Sequence, residues 1–162
     1  MATALKDRMR EFGFSDFKIS MRRKRMIRLT PNLAVANVAE SVRFYTEVLD
    51  FKLRMIVDAE KAHIGDVLKE EITYIWANVM HGDVGVMFQQ KQSFEEDLGV
   101  SVDHTGASAS LYMEVEDADA LYESLKERVT FHKAIATTWY GAREFYLKDP
   151  DGYLLGFSSM AK

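Results

Sequence analysis

Residues 139–157 read WYGAREFYLKDPDGYLLGF, and this stretch indicates how the chain folds. Two runs of aromatic and aliphatic residues, 143–147 and 153–157, are separated by the sequence DPDG at 149–152. Proline at the second position and glycine at the fourth position of such a segment are typical of a β-turn. The stretch therefore predicts an antiparallel hairpin.

The sequence before this hairpin completes a larger unit. Residues 108–115 alternate between apolar and polar side chains and predict a strand. Asp117 can cap a helix whose apolar residues recur at helical spacing, and residues 131–137 predict the next strand. With the hairpin, the order of elements is βαβββ.

The same order occurs once before in the chain. Residues 27–35 predict a strand, a helix can begin after Asn37, and residues 51–57 predict a second strand. A hairpin follows over 72–89, with its turn at His81-Gly82-Asp83. The motif VANV at 35–38 aligns with VEDA 80 residues later, and the polar residues 90–107 predict a connection between the two units.

This repeat predicts the fold class and the domain organisation. We expect an α+β fold in which two βαβββ modules, about 26–90 and 107–160, form a shared curved mixed sheet around a cleft. That cleft is the default binding site. Together the modules make one domain over residues 26–160, and residues 1–25 form a basic N-terminal extension.

Composition narrows the function classes. The 162 residues include no cysteine, which excludes disulfides, zinc–thiolate sites and cysteine nucleophiles, and which fits a cytoplasmic protein. No run of about 18 apolar residues occurs, so we expect no membrane partner. Hydrophobic residues make up 48% of the chain, enough for a core without covalent cross-links.

Charge is distributed unevenly along the chain. Residues 1–28 carry nine Lys or Arg and three Asp or Glu, whereas the remainder carries twelve and twenty-two. An acidic body gives no reason to expect nucleic acid as a partner. The basic run at 22–25 could contact phosphate or an acidic surface. Alternatively the N-terminal residues are a solvated tail, or residues translated upstream of an internal start at Met21 or Met26.

Two motifs resemble a known family. Residues 33–45, LAVANVAESVRFY, followed by VLDF at 48–51, resemble the opening of the glyoxalase, bleomycin-resistance and extradiol-dioxygenase (vicinal-oxygen-chelate) superfamily. Residues 139–157 resemble its bleomycin-resistance branch. The resemblance covers about residues 26–160 and implies paired modules, a small-molecule ligand and a homodimer, with modules paired either within or between chains.

The resemblance also gives positions for metal ligands. Metal enzymes of the family place His or Gln on the first strand of each module and Glu on the last strand. These positions correspond to Thr30, Ser110 and Gly156, and no carboxylate occurs at 87–89. Because neutral hydroxyls and glycine are poor ligands for divalent ions, we expect no metal cofactor.

A relocated metal site is the alternative. It would need some of the four histidines to converge with Glu114 or Glu144. Since no two of them, at positions 63, 81, 104 and 132, have metal-ligand spacing, surface histidines are the simpler interpretation.

The predicted cleft lining is aromatic and mildly polar. Alternation from Thr30, Ser110 and Gly156 places one set of side chains toward the cleft, where flat rings suit a planar or cationic ligand. Alternatively, the rings only fill the space that metal and substrate occupy in relatives. The predicted ligand-binding residues are Asn32, Tyr74, Trp76, Tyr112, Glu114, Trp139, Tyr140 and Arg143.

Glu114 and Arg143 form a predicted pair. A carboxylate enclosed in the cleft needs a partner, and Arg143 is the candidate in the same module. Glu114 would then meet a cationic ligand group. Alternatively, Glu114 lies solvated at the end of its strand, next to the helix cap Asp117.

Three functions are compatible with these features. The first is a metal-free homodimer that binds, and perhaps sequesters, a cationic or aromatic compound. The second is a lyase, isomerase or dioxygenase of the same superfamily that uses non-standard metal ligands. The third is a regulatory or structural dimer whose cleft is filled and whose tail contacts a partner.

Overall fold

The structure is a computed structural model that describes residues 27–62, 64–106 and 108–161. The basic extension predicted at 1–25 lies outside the described residues. None of the described helices combines the length and the hydropathy that crossing a bilayer requires.

The first module contains five strands in one sheet, ordered β1-β5-β4-β2-β3. Strand β1 runs parallel to β5, and the other neighbours are antiparallel. The elements are β1 (Asn32–Val35), helix α1 (Val38–Arg43) continuing as a π-helical segment (Phe44–Val48), β2 (Lys52–Asp58), β3 (Ile64–Gly65), β4 (Tyr74–His81) and β5 (Val84–Gln90).

The second module repeats this arrangement with four strands, ordered β6-β9-β8-β7. Strand β6 is parallel to β9, as β1 is to β5, and the remaining pairs are antiparallel. The predicted α+β class and the two modules are confirmed, with the described strands divided between two sheets, one per module, and with the short strand β3 added to the predicted βαβββ order of the first module. The elements are β6 (Ser110–Glu114), α3 (Ala118–Leu125), β7 (Phe131–Thr137), β8 (Ala142–Lys148) and β9 (Leu154–Met160).

One helix, α2 (Lys91–Leu98), occurs where the sequence predicts only a connection. The Gln90 side chain accepts a hydrogen bond from the Ser93 N–H at its start, and Gly99 ends it in the left-handed region with φ of 65°. All its residues are at least partly exposed. It therefore lacks the apolar stripe by which a helix is recognised in a sequence.

Helix α1 covers one face of the first sheet. Its Val42, and Tyr45 of the π-helical segment that continues it, are buried in one core cluster with Ala77 and Val79 of β4. Burying such a side chain contributes about 1.5–3 kcal/mol. Because side chains alternate along a strand, Trp76 is left on the opposite face of the sheet.

The DPDG turn joins the modules, which the sequence alone did not predict. Asp151 accepts hydrogen bonds from the Ala36 N–H at 2.7 Å and from the Ser41 hydroxyl at 3.2 Å, both at the start of α1. The Tyr45 hydroxyl donates to Asp149 at 3.2 Å, and both groups are buried. The turn of one module thus anchors the first helix of the other.

Burial changes the protonation of this turn. It raises the pKa of Asp149 to about 6, helped by the neighbouring Asp151 carboxylate and opposed by hydrogen bonds from the Tyr153 N–H and the Tyr45 hydroxyl. The pKa of Tyr45 is raised as well, first by burial and then by the charge of Asp149. The junction therefore contains a carboxylate that is costly to ionise.

Candidate functional site

The site lies on the face of the second sheet where the family resemblance places a metal ligand at Gly156. This residue pairs with Tyr112 on β6 and with Tyr146 on β8. A Cβ atom built on Gly156 would lie 2.6 Å from Cε1 of Tyr146 and 3.0 Å from Cδ2 of Tyr112. Two aromatic rings thus occupy the space that a Glu side chain would need, and this position does not fit a metal site.

The relocated metal site that the sequence left as an alternative would need a cluster of metal-ligating side chains. Among residues 27–62, 64–106 and 108–161, no three His, Asp or Glu side chains come close enough together to hold an ion. His81 instead packs against the ring of Phe51, with ring centroids 5.6 Å apart. His63 lies outside the described residues.

The centre of the site is Glu144 on β8, which is only 6% exposed. Its Oε2 accepts hydrogen bonds from the hydroxyls of Tyr112 and Tyr140, each at 3.0 Å. Its Oε1 is 3.0 Å from the ammonium of Lys133 on β7. Three donors from three separate segments therefore surround one buried carboxylate. We call Tyr112, Lys133, Tyr140, Glu144 and Tyr146 the Glu144 cluster.

The electrostatics of the Glu144 cluster are those of a permanently charged network. Burial acts to raise the pKa of Glu144, but the hydrogen bonds from Lys133, Tyr140 and Tyr112 outweigh it, and the pKa is lowered. Hydrogen bonding to Tyr112 and Glu144 raises the pKa of Tyr140 to about 12. The hydrogen bond with Glu144 also raises the pKa of Lys133. At neutral pH the carboxylate and the ammonium are both charged.

The ammonium of Lys133 also contacts a ring, because its Nζ lies 5.4 Å from the ring centroid of Tyr146. This distance is within the range of a cation–π interaction. The Glu144 cluster therefore binds a cation in this structure, and that cation belongs to the protein. The Lys133 side chain is half exposed, so it can leave without disturbing the core.

Exposed rings border the cluster. Tyr112 and Tyr140 expose nearly half of their surface, and Trp139 in the β7–β8 hairpin is 96% exposed. Trp139 contacts Tyr140 edge-on, with ring centroids 5.3 Å apart. A buried charge beside accessible rings can bind a planar group carrying positive charge.

Of the eight predicted ligand-binding residues, the second module brings together Tyr112, Trp139 and Tyr140. Asn32 and Trp76 belong to the first sheet and not to the Glu144 cluster. The Asn32 amide donates a hydrogen bond to the Gln89 side chain at 2.9 Å. Tyr74 belongs to the buried core and not to an open face. The register between β2 and β4 shifts between the pairs of Trp76 and Tyr74, and this irregularity breaks the alternation used in the prediction.

The predicted pair of Glu114 and Arg143 does not form. The Arg143 Nε donates to both carboxylate oxygens of Asp119 on α3, at 2.9 and 3.1 Å, and its Nη1 donates to the Thr137 hydroxyl. The register explains the error. Glu114 and Glu144 both pair with Ser158 and share one face of the sheet, whereas Arg143 is next to Glu144 on β8 and points to the opposite face. Glu114 is exposed at the end of β6.

The predicted ligand-binding set omits Lys133, Glu144 and Tyr146, of which the sequence analysis considered only Glu144, as a partner in a relocated metal site. Glu144 and Tyr146 alternate along β8 in register with Gly156 and Ser158 of β9, so the hairpin register contained that signal. Lys133 lies opposite Tyr146 across an irregular β7–β8 ladder. That irregularity has no sequence signature.

A concave region separate from the Glu144 cluster, the intermodule cavity, lies between the β4–β5 turn and the β6–α3 junction. Its volume is about 480 Å³, and most of its lining is apolar. Glu114 and Glu116 are exposed at this cavity. Its lining residues are Leu49, Phe51, His81, Val84, Met113, Glu114, Val115, Glu116, Asp117, Leu121 and Phe157.

Comparisons with known proteins agree with the fold. The family model described as the glyoxalase/bleomycin resistance protein/dioxygenase superfamily matches residues 27–157. Bleomycin resistance proteins of Geobacillus stearothermophilus and Staphylococcus aureus are 24% identical over 139 residues, which is 85% of this chain and 99% of theirs.

Solved structures show the same fold at low identity. A glyoxalase/bleomycin resistance protein/dioxygenase from Nocardioides aligns with a TM-score of 0.64 and 17% identity, covering 98% of this chain and 94% of that one. The bleomycin-binding protein of Streptomyces verticillus, solved with copper(II)-bleomycin, aligns with a TM-score of 0.55 and 22% identity, covering 85% of this chain and 98% of that one.

Proposed function

Because the chain belongs to the glyoxalase/bleomycin resistance protein/dioxygenase superfamily, we propose that it binds a small molecule that carries a planar, positively charged group. The ligand lies on the Glu144 cluster, stacks on its rings and places its charge next to the Glu144 carboxylate. The protein holds its ligand without catalysis and without a metal ion of its own, as a sequestering protein does.

The observation that carries this proposal is the position of the Lys133 ammonium, 3.0 Å from Glu144 and above the ring of Tyr146. A carboxylate this deeply buried requires a positively charged partner. Lys133 fills that role with a half-exposed side chain. A ligand cation of similar size can replace it at little cost to the fold.

The surrounding surface fits the same class of ligand. Tyr112, Tyr140 and Trp139 offer ring faces and edges on which a flat group can stack. The residues after position 28 carry an excess of negative charge, which attracts cations over longer distances. The relatives named bleomycin resistance proteins support a ligand that is an antibiotic.

The rings around Gly156 support binding without a resident metal. They fill the position of a metal ligand, and Thr30 lies against Gly85, where a Cβ atom on that glycine would be 3.5 Å from the Thr30 methyl group. A metal-dependent lyase, isomerase or dioxygenase would need ligands other than these.

We also propose that the protein is a cytoplasmic homodimer. The fully exposed Trp139 ring next to the site supports a second chain that contacts this edge, and the absence of cysteine supports a reducing compartment. Light scattering at micromolar concentration should give twice the chain mass of 18.6 kDa. Monomer alone would contradict the dimer.

Ligand titration of chelator-treated protein tests the proposed function. Ethidium is planar and cationic, fluorescein is planar and anionic, and bleomycin is the compound named for the relatives. We expect ethidium or bleomycin to bind and to raise the melting temperature, because a ligand of the native state stabilises it, while fluorescein does neither. Metal near one equivalent per chain in protein purified without a histidine tag, or equal binding of fluorescein, would contradict the proposal.

A further inference from the structure

The intermodule cavity has a filled counterpart at the other junction between the modules. There, the β8–β9 turn contacts the start of α1 through Asp151, and Tyr153 donates to the Ala34 carbonyl at 2.9 Å. At the cavity, the β4–β5 turn contributes His81 and Val84 near the start of α3. The pseudo-symmetric contact is thus replaced by a space of about 480 Å³.

The described chain begins beside this cavity. Arg28 borders the same surface hollow as Gly82 and Asp83 of the β4–β5 turn. The side chains of Ile27 and Leu29 are 93% and 90% exposed. The first described residues therefore lie at a turn whose His81 and Val84 line the cavity.

The sequence of this preceding segment matches the cavity in chemistry. Residues 17–21 read FKISM, so Phe17, Ile19 and Met21 share one side of an extended chain. Four basic residues follow at 22–25. The cavity has an apolar lining with the exposed carboxylates Glu114 and Glu116 at its edge.

We propose that residues 17–25 bind in the intermodule cavity of the same chain. Phe17, Ile19 and Met21 enter the apolar space, and the basic run at 22–25 lies along Glu114 and Glu116. The segment thereby takes the place that the β8–β9 turn takes at the other junction.

The connection is long enough for this arrangement. Ile27 lies eight positions after Ile19, and an extended chain spans roughly 3.3 Å per position, or roughly 26 Å in total. Val84 lies directly after Asp83, beside which the described chain begins. Binding within one chain therefore needs no second copy.

Engineered disulfides test the proposal, because the chain has no cysteine of its own. The full-length variant Ile19→Cys/Val84→Cys places one thiol in the segment and one at the cavity. Its control, Ile19→Cys/Val67→Cys, uses a valine that is 61% exposed, against 46% for Val84, and that does not line the cavity. Oxidised glutathione closes the disulfide, two thiols giving up two protons and two electrons to the glutathione disulfide.

We expect the intrachain disulfide with Val84→Cys to form faster than the control by on the order of tenfold or more, since docking raises the effective concentration of the two thiols. The rates of disulfide formation are also measured in concentrated urea, where the chain is unfolded, and these rates correct for the different loop lengths of the two variants. Changing both Glu114 and Glu116 to Gln, or raising the ionic strength, should reduce the difference.

Two results would overturn the proposal. Equal corrected rates at the two positions would mean that the segment has no preference for the cavity. Disulfide-linked dimers would mean that the cavity receives the segment of a second copy. His81→Cys supplies a second position on the cavity edge if the Val84 variant folds poorly, and the melting temperature of each variant is measured first.

Discussion

The two modules share one topology but present different chemistry on equivalent sheet faces. In the first module, Asn32 pairs with Met87, which pairs with Asn78. In the second, Tyr112 pairs with Gly156, which pairs with Tyr146. The backbone frame is the same, and a few side chains decide whether a face carries amides or rings.

The difference extends to charge. In the second module, Glu144 of β8 pairs with Ser158. The equivalent register position in the first module is that of Trp76, which pairs with Gln89. On the first face the amides of Asn32 and Gln89 bond to each other, whereas the second face carries a buried carboxylate with three donors. The buried carboxylate that the proposed cationic ligand would meet is therefore on the face of the second sheet.

The turns differ in the same way. The β8–β9 turn bonds to the first helix of the other module through Asp149 and Asp151, while the equivalent β4–β5 turn borders a cavity. An aspartate-rich turn can replace a packed contact, because each carboxylate accepts several hydrogen bonds.

The largest expected difference between the turns is in pH dependence. The folded pKa of Asp149 is about 6, above its usual 3.8, so the folded state binds more protons between these values. Stability from this group is fully present below about pH 4 and falls as the pH rises through about 6, by up to about 3 kcal/mol. Asp149→Asn keeps an oxygen for the Asp151 and Tyr153 N–H groups and an amide for Tyr45.

The measurement is the free energy of unfolding of both proteins from pH 4 to pH 7. The free energy of unfolding of Asp149→Asn minus that of the wild type should increase over this range. Taking this difference cancels the contributions of the other carboxylates, because both proteins share them. The exposed Asp103→Asn serves as control and should show no such trend. A constant difference for Asp149→Asn would mean that Asp149 ionises freely in the folded protein.

Removing the second turn carboxylate should cost less. Asp151→Ala leaves the Ala36 N–H without its acceptor and removes one of the two acceptors of the Ser41 hydroxyl, which keeps the Asn37 carbonyl, at a cost of about 2 kcal/mol. For a domain of this size the melting temperature should fall by about 4–8 °C. Asp83→Ala in the equivalent turn should stay within about 0.5 kcal/mol, as exposed positions do. Equal effects would remove the distinction between the two turns.

Adding a methyl group at one glycine of each sheet should change the free energy of unfolding differently at the two faces. A Cβ atom on Gly156 meets two rings, one of them bonded to Glu144, whereas a Cβ atom on Gly85 meets the Sδ of Met80 at 2.7 Å. Because a Met side chain can move aside, Gly85→Ala should be neutral in chemical denaturation. Gly156→Ala should destabilise by about 1–2 kcal/mol, the cost of overpacking. The reverse order would show that the Tyr112 and Tyr146 rings are free to move.

The smallest expected effect concerns the resident cation. Lys133 pairs with Tyr146 as Met55 pairs with Asn78 in the first module. Lys133→Met makes the two faces alike at this position. A cationic ligand then no longer has to displace the Lys133 ammonium from Glu144. Ethidium affinity should rise by about two- to fivefold, the strength of an ion pair whose ammonium is half exposed. A loss of affinity would instead make Lys133 a direct ligand contact.

The sequence predicted the frame of the molecule better than its contacts. Alternation, the Asn37 and Asp117 caps and the DPDG turn are local signals, and both modules follow from them. The bond between Asp151 and Ala36 spans 115 residues and has no local signal. Arg143 was assigned to Glu114 because only the chemistry of the pair was considered, whereas the face of β8 on which Arg143 lies directs it to Asp119.

The most direct test of the account compares two carboxylates of the second module in ethidium titrations. Glu144→Gln keeps the shape of the side chain and removes its charge, so affinity should fall by about 10- to 100-fold, as for a lost charge-assisted hydrogen bond. Glu116→Gln, which removes an exposed carboxylate after the end of β6, should bind ethidium as the wild type does. Unchanged affinity in Glu144→Gln, or an equal loss in Glu116→Gln, would contradict the assignment of the site to the Glu144 cluster.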